Sequence, residues 1–259
     1  MRVITHKLPD FTELEILALA DLHLGDIHAD GKLIIERLDY IRKTENAYTI
    51  LNGDLMDAAI KTSIGDVYGA SLQPMEQLKH CVQLFEPIKD KILAVLPGNH
   101  EARIYRGDGV DMTEVMCDQL QIGDRYARDG ALVFVRFGKH KSAERSHARP
   151  ICYAIYASHG AGSGRTPGAK INRLVDMAAI VDADIYIMSH VHQPAVLKTA
   201  FYRVSQQNSS VRKVDKLFVN TAAALDYGGY GESALYRPAS KDTPIIKLSG
   251  REKKATAEL

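Results

Sequence analysis

The chain lacks tryptophan altogether and is poor in cysteine, with only Cys81, Cys117 and Cys152 among its 259 residues. These cysteines lie far apart and form no CxxC pair, which argues against a disulfide framework and against a cysteine-rich zinc site. The chain also has no apolar run long enough for a signal peptide at its start or for a membrane span. We therefore expect a cytoplasmic protein in a reducing compartment, with no membrane partner.

An excess of either charge is also missing, since 33 Lys and Arg residues balance 32 Asp and Glu residues. This balance argues against a long basic tail and against an acidic solvating segment, but a local basic patch is compatible with it. The hydrophobic content of 46% and the charged content of 25% are average for a globular domain. Histidine is the residue that stands out, with ten copies.

Short β-branched runs alternate with longer amphipathic stretches, which predicts a layered α/β protein. Strands are predicted at residues 15–20, 48–51, 92–96, 132–137, 151–157, 184–188, 195–204, 213–219 and 244–248. Helices are predicted at residues 32–43, 74–88, 112–122 and 169–181, where apolar residues recur at helical spacing. Because distinctive residues fall in both halves of the chain, we expect one domain over residues 1–259.

One pattern recurs five times: an apolar strand ends, and a residue able to bind a metal follows at once. The residues at these positions are Asp21 and His23, Asp54, Asn99 and His100, His159, and His190 and His192. Open α/β sheets build their sites at the carboxyl ends of strands. In the D-x-H and H-x-H pairs we expect an extended backbone, which would place both ligands on one side and Leu22 or Val191 on the other. Gly53, Gly98 and Gly160 lie nearby and would let the backbone turn sharply.

Two carboxylates, one amide oxygen and at least four imidazoles form a mixed nitrogen and oxygen ligand set. Such a set suits Mn, Fe, Zn or Ni better than Ca or Mg. These ligands are more numerous than one tetrahedral site needs. Their number fits two ions about 3.5–4 Å apart that share a carboxylate. Each piece alone has an ordinary explanation as a turn, a helix cap or a surface pair, but five in order, each after a strand, indicate a metal site.

The segments ADLHLGD, LNGDLMD, LPGNHEARI and SHVHQP, together with His159, resemble the five ordered motifs of the calcineurin-like metallophosphoesterases. The resemblance covers roughly residues 15–195. More loosely, the motifs resemble those of small bacterial and phage-type members, and they are distantly similar to those of SbcD-type nucleases. It implies a sandwich of two β-sheets flanked by helices, an αββα fold. It also implies a dinuclear metal site at the strand ends.

The resemblance further assigns roles to the residues of these motifs. One metal would be held by Asp21, His23 and His192, with Asp54 as the bridge, and the other by Asn99, His159 and His190. His100 would protonate the leaving oxygen or stabilise charge on the phosphoryl group, while a metal-activated hydroxide attacks in line. Two divalent ions are implied, with Mn expected first and Fe, Zn, Ni or Co as alternatives.

Two positions depart from the pattern of the protein Ser/Thr phosphatases in this family. Those enzymes carry an arginine shortly after the GD motif and another before GNH, where this chain has Ala58 and Pro97. The departure favours a phosphodiesterase or nuclease, with a phosphoester substrate that includes nucleic acid as a candidate. A phosphomonoesterase acting on nucleotides or small metabolites stays open, as does a non-catalytic binding module on the same fold.

Other residues near the motifs are candidates for supporting roles. Asp57 and Glu101 could orient imidazoles or could be surface carboxylates beside a turn. Arg103 and Arg106 are candidates to hold a substrate phosphate, since arginine binds phosphate with two parallel hydrogen bonds. Arg165, in the glycine-rich loop 160–170, could reach the substrate from the edge of the site.

Three surface segments are candidates for substrate contact. The basic stretch 139–149 could follow a nucleic-acid backbone, although charged loops are usually only solvated. The loops 60–73 and 227–231 are candidate rims whose aromatic rings could stack on a base.

Overall fold

The computed structural model describes residues 1–61, 63, 70–140, 149–162 and 164–259. Two β-sheets face each other in this part of the chain. The six-stranded sheet has the order β1-β5-β6-β7-β9-β8, and its strands are Arg2–Lys7 (β1), Ala131–His140 (β5), Arg149–Ala157 (β6), Ile185–Met188 (β7), Ala195–Ser205 (β8) and Ser210–Asn220 (β9). The five-stranded sheet has the order β11-β10-β2-β3-β4, and its strands are Glu13–Leu19 (β2), Ala47–Asn52 (β3), Ile92–Leu96 (β4), Ile245–Ser249 (β10) and Ala255–Glu258 (β11).

Strand β2 shows why the chain forms layers. Successive side chains of a strand point to opposite faces, and both faces of β2 are apolar. Ile16 and Ala18 point into the core between the two sheets, whereas Leu17 and Leu19 point to the outer face of their own sheet. A strand buried on both sides lies in the middle of a layered structure.

Helices cover the outer face of each sheet. The helices Gly31–Lys43 (α1), Pro74–Phe85 (α2) and Met112–Gln119 (α4) pack on the five-stranded sheet through one apolar cluster. The helix Pro167–Asp176 (α5) packs on the six-stranded sheet, where its Leu174 meets Tyr186 and Phe218. Two further helices, Glu101–Asp108 (α3) and Gly229–Ser233 (α6), lie in connections. The predicted sandwich flanked by helices is confirmed.

The strand directions bring the predicted ligands to one edge of the sandwich. Strands β2, β3 and β4 run parallel to one another, and so do β6, β7 and β9. Parallel strands present their carboxyl ends at the same edge of a sheet. All five ligand-bearing segments follow the ends of β2, β3, β4, β6 and β7.

All nine predicted strands and all four predicted helices are present, with shifted ends. Strands β1 and β11 and helices α3 and α6 were not predicted. Only Ile4 of β1 is buried, and only Glu101 of α3, so neither segment has the apolar repeat that marks a core element. Within the described residues, no helix combines the length and the apolar character needed to cross a membrane.

Parts of three predicted surface segments lie outside the described residues. These parts are residues 141–148 of the basic stretch, residues 62 and 64–69 of the loop 60–73, and Ser163 of the glycine-rich loop. The predictions for the basic stretch are therefore neither confirmed nor contradicted.

Candidate metal centre

The backbone of the ligand loops is left-handed at five of the predicted ligands. The φ angles are 51° at Asp21, 46° at His23, 50° at Asp54, 69° at His190 and 52° at His192. The predicted extended backbone of the D-x-H and H-x-H pairs is therefore wrong. Both side chains of each pair still point into the site because the two left-handed residues flank one that is turned away.

The intervening residues explain how this conformation is held. Leu22 is fully buried under the helices of the five-stranded sheet, and Val191 packs with the cluster beneath α5. The loop is also tied by backbone hydrogen bonds, including Asp21 N to Gly53 O at 3.0 Å and Leu22 N to Asp54 O at 2.8 Å. A left-handed non-glycine residue costs about 1–3 kcal/mol and persists only where its surroundings enforce it. Here the buried anchors supply that enforcement.

The first ligand group consists of Asp21, His23 and His192. Their candidate ligand atoms lie within 4.8 Å of one another. His23 Nε2 is 3.3 Å from His192 Nε2, and His192 Nε2 is 3.4 Å from Asp21 Oδ1. Two ring nitrogens and one carboxylate oxygen thus converge on a single point.

The second ligand group consists of Asp54, His159 and His190, again with ligand atoms within 4.8 Å of one another. His159 Nε2 is 3.2 Å from Asp54 Oδ2 and 3.2 Å from the Oδ1 atom of Asn99. Asp54 also forms a third group with His23 and His100. Its carboxylate therefore lies between the two ligand groups, where a bridging ligand would lie.

Hydrogen bonds to the backbone set which ring nitrogen of each histidine faces the site. His159 Nδ1 donates to the carbonyl of Asn52 at 2.7 Å, which turns Nε2 towards Asp54. His190 Nε2 donates to the carbonyl of Gly162 at 3.0 Å, which leaves the lone pair on Nδ1. Backbone partners of this kind orient the imidazoles that bind metals.

Gly53 and Gly98 allow the loops after β3 and β4 to come together. A Cβ at Gly98 would lie 2.0 Å from Asp54 Oδ1, and one at Gly53 would lie 2.6 Å from His159 Nδ1. Gly53 also has a positive φ of 87°. A side chain at either position would displace a predicted ligand.

His100 faces the same space from the start of α3. Its Nδ1 donates to Asp57, with 2.9 Å to the carbonyl oxygen and 3.1 Å to Oδ1, and its Nε2 lies 3.9 Å from Asp54 Oδ2. Burial acts to lower the pKa of His100, but the hydrogen bond that His100 donates to Asp57 and the charge of Asp54 outweigh it and raise the pKa. Asp57 thus contacts an imidazole.

Glu101 has different contacts from those expected of it. Its carboxylate touches no imidazole in the described residues and instead accepts hydrogen bonds from the backbone N–H groups of Asp54, Met56 and Gly98 at 2.8–3.1 Å. It is buried, and burial together with the charge of Asp54 raises its pKa. Glu101 joins the loops after β3 and β4, and so it orients ligands through the backbone.

The site mixes neutral and charged groups at close range. Burial and the nearby His100 lower the pKa of His23 to about 3, so this ring is neutral at physiological pH. Burial opposes the charge of His159, but the Asp54 carboxylate overcomes it and raises the pKa to about 10. Burial acts to raise the pKa of Asp54, while His159 holds it well below the usual range.

These residues fit a pair of divalent metal ions. The Oδ1 atom of Asp21 is fully buried and accepts no hydrogen bond from any described residue. An unpaired buried carboxylate oxygen is costly unless a cation offsets it. His192 Nε2 lies 3.4 Å from this oxygen, and His23 Nε2 lies 3.3 Å from His192 Nε2. Two imidazoles and a carboxylate this close together are a donor set that suits a divalent ion.

The three predicted substrate arginines lie at different distances from the ligands. Arg103 is half-buried and donates from Nη1 to Ser63 Oγ at 3.1 Å. It also interacts electrostatically with Asp54 and Asp57. Arg106 is exposed and donates to carbonyl groups of Ala102 and Asn99, near the start of its own helix. Arg165 is exposed two residues before α5, a helix whose Lys170 donates to the carbonyl of Val191 at 2.8 Å.

Three residues that support the site were not predicted. Asn52 accepts from His159 and donates from Nδ2 to Ser189 Oγ at 2.6 Å, which links the two sheets. Gln77 accepts from the backbone N–H of Ala58 at 2.8 Å, and Lys170 donates to the carbonyl of Val191 at 2.8 Å. Asn52 precedes the GD pair and could have been suspected, whereas Gln77 and Lys170 lie on helices that carry no such signal.

The sequence model of the calcineurin-like phosphoesterase family matches residues 21–194, a span that includes every predicted ligand. The chain therefore belongs to the calcineurin-like phosphoesterase family, whose members bind divalent metals. The predicted resemblance is confirmed.

Comparison with solved structures finds distant similarities. A predicted phosphoesterase from Streptococcus pneumoniae is 13% identical, with 96% of this chain and 98% of that chain covered and a TM-score of 0.37. Zinc-bound Vps29 from Entamoeba histolytica is 12% identical, with 95% and 97% covered and a TM-score of 0.38. A metallophosphoesterase from Sphaerobacter thermophilus is 14% identical, with 92% and 84% covered and a TM-score of 0.35. No curated protein matches the chain.

Proposed function

We propose that the protein is a dinuclear metal-dependent phosphoester hydrolase that acts on phosphodiesters, with nucleic acid as the substrate class. The position of Asp54 carries this proposal. Its carboxylate belongs to a ligand group with His159 and His190 and to another with His23 and His100. One carboxylate shared in this way would let the residues hold two ions, and His100 belongs to one of the two groups.

The ions, when bound, would supply Lewis acidity for a phosphoryl oxygen and a nucleophile at neutral pH. Two of the chain's own residues, Asp57 and His100, then act together. His100 is oriented by Asp57 so that Nε2 points into the site, where it can donate a proton to the leaving oxygen. Its side chain is 19% exposed, which leaves it accessible to a substrate.

The preference for diesters is supported by the cations of the site. Ala58, near the place where a protein phosphatase would carry arginine, is fully buried, and its N–H is bound by Gln77. A side chain as large as arginine does not fit there. Of the three predicted substrate arginines, Arg103 is shown to interact electrostatically with Asp54 and Asp57. One guanidinium this close to the carboxylates suits the single charge of a diester better than the double charge of a monoester.

Hydrolysis of bis-p-nitrophenyl phosphate by protein loaded with Mn²⁺ tests the proposal. We expect turnover that is abolished by a chelator and restored by Mn²⁺, with Fe²⁺, Zn²⁺, Ni²⁺ and Co²⁺ tested in parallel. Faster turnover of p-nitrophenyl phosphate would favour the phosphomonoesterase. Absence of turnover of either ester with every metal would favour a binding module on this fold.

A further inference from the structure

A cleft of about 220 Å³ lies beside the metal centre, between the start of α5 and the segment that follows α6. We call it the rim cleft, and its lining residues are Arg165, Thr166, Lys170, Leu235, Tyr236 and Arg237. Three of the six carry a positive charge, and none is acidic. Among the described residues that line it, the cleft thus has one sign of charge only.

Two hydrogen bonds connect the rim cleft to the metal centre. Lys170 donates to the carbonyl of Val191, the residue between the ligands His190 and His192. His190 in turn donates to the carbonyl of Gly162, three residues before Arg165. The wall of the cleft is therefore directly attached to the backbone that carries His190 and His192.

The cations of the rim cleft are available to an anion. Arg165 and Arg237 are exposed, and neither takes part in an ion pair with a residue that the structure describes. Arg165 lies over the ring of Tyr236, with 5.6 Å from its Cζ atom to the ring centroid. Stacking on a ring holds the guanidinium in place while its N–H groups stay free to bind phosphate.

The edge of the rim cleft is apolar. Leu235 is 80% exposed and has a positive φ of 56°, so a large apolar side chain is held outwards by a strained backbone. Tyr227 is 49% exposed, and its hydroxyl donates to the carbonyl of Tyr236. Exposed apolar and aromatic side chains beside a cationic groove are typical of surfaces that bind single-stranded nucleic acid, where bases lie next to phosphates.

We propose that the rim cleft binds a second phosphate of a single nucleic-acid strand whose scissile diester lies at the metal centre. Arg165 and Arg237 contact this phosphate, and Lys170 adds positive charge to the wall. Leu235 contacts the adjoining base. The inference rests on the proposed function for the position of the scissile bond, and it narrows the substrate from diesters in general to strands with more than one phosphate.

The number of phosphates in the substrate tests the inference. Octathymidylate contains several phosphates, whereas the dinucleoside thymidylyl-thymidine contains one. With Mn²⁺-loaded protein, we expect Arg165→Gln/Arg237→Gln to lower kcat/KM for octathymidylate by about 10–100-fold, through KM, because two cation–phosphate contacts are lost. The loss for thymidylyl-thymidine should be several times smaller.

Arg212→Gln is the matched control. Arg212 is exposed on β9 and lies eight residues before Asn220, the end of the strand that faces the site. Each Arg→Gln change removes one positive charge, and Arg212 does not line the rim cleft. An equal loss for both substrates, or a loss in Arg212→Gln as large as in the double variant, would overturn the inference.

Binding without hydrolysis separates this inference from the proposed function. Fluorescein-labelled octathymidylate is titrated with chelator-treated protein at several salt concentrations, and fluorescence anisotropy is measured. We expect the double variant to bind about 10-fold more weakly than Arg212→Gln, and the slope of log Kd against log salt to fall by about 2, one for each lost phosphate contact. Equal affinities, or no binding by the wild-type protein, would overturn the inference. If the strand binds through the rim cleft but is not hydrolysed with any of the metals, the proposed function is contradicted. The rim cleft would then still be a binding site for nucleic acid.

Discussion

The metal centre and the rim cleft lie side by side but are built in opposite ways. The predicted ligands Asp21, Asp54 and His159 are buried, left-handed backbone occurs at five predicted ligand positions, and Glu101 ties two of the loops together. In the rim cleft, Arg165 and Arg237 are exposed. The core of the sandwich thus holds the metal centre rigidly, while the rim depends on side chains that solvent surrounds.

Because of this difference, substitutions in the two regions should have different consequences. A change in the metal centre disturbs packing, loops and ligands together, because each ligand depends on buried anchors. A change in the rim alters substrate preference with little effect on folding, because exposed side chains contribute little to stability. The predictions below test that contrast.

The largest effect is expected for Asp54→Asn, which alters the residue shared by both ligand groups. Loss of a charge at the bridge should weaken both metals and lower kcat by about 10⁴-fold or more, since the ions supply several kcal/mol of transition-state stabilisation. Metal content measured by mass spectrometry after dialysis, together with diester hydrolysis, checks this. Asp39→Asn, on the exposed face of α1, is the control. Loss of only one ion would show that Asp54 is not the bridge.

A smaller effect is expected for His100→Ala. The variant should keep both metals and lose about 10²–10⁴-fold in kcat, the usual contribution of a general acid. Metal content and kcat are measured on the same preparation. If the variant loses metal as Asp54→Asn does, His100 is a ligand and its assignment as the proton donor is wrong.

Glu101→Ala should lower the free energy of unfolding. Three buried backbone N–H groups would lose their acceptor, and we expect the free energy of unfolding to fall by about 3 kcal/mol. Urea unfolding in the presence of chelator measures this without a contribution from metals. Glu36→Ala, at an exposed position of α1, should change stability far less. Equal values for the two variants would mean that Glu101 does not hold the loops together.

The smallest effect is expected for Arg237→Gln on stability. Because Arg237 is exposed, its replacement should change the free energy of unfolding by less than about 0.5 kcal/mol. The same urea titration provides the value. A loss as large as that of Glu101→Ala would mean that the rim is as firmly integrated as the metal centre, and the contrast between the two regions would fail.

The strands that carry the ligands could be predicted because their apolar residues are buried on both faces, as in β2 and β3. The order of the ligand motifs was also visible in the chain. Strand β1 and helix α3 could not be predicted, since each buries a single residue. The left-handed backbone at Asp21 and His23 was also missed, because it is enforced by anchors distant in the chain and not by local preference.

The residue types and their order along the chain were sufficient to predict the family, the sandwich of two sheets and a set of candidate metal-binding residues. Local information suffices there, because a buried strand followed by a polar ligand is a pattern of neighbouring residues. The roles of Glu101, Asn52 and Lys170, and the rim cleft, arise only when β3, β4, β6 and β7 end at one edge. Contacts between segments more than a hundred residues apart, such as Asn52 with Ser158, depend on how the two sheets pack and leave no local trace.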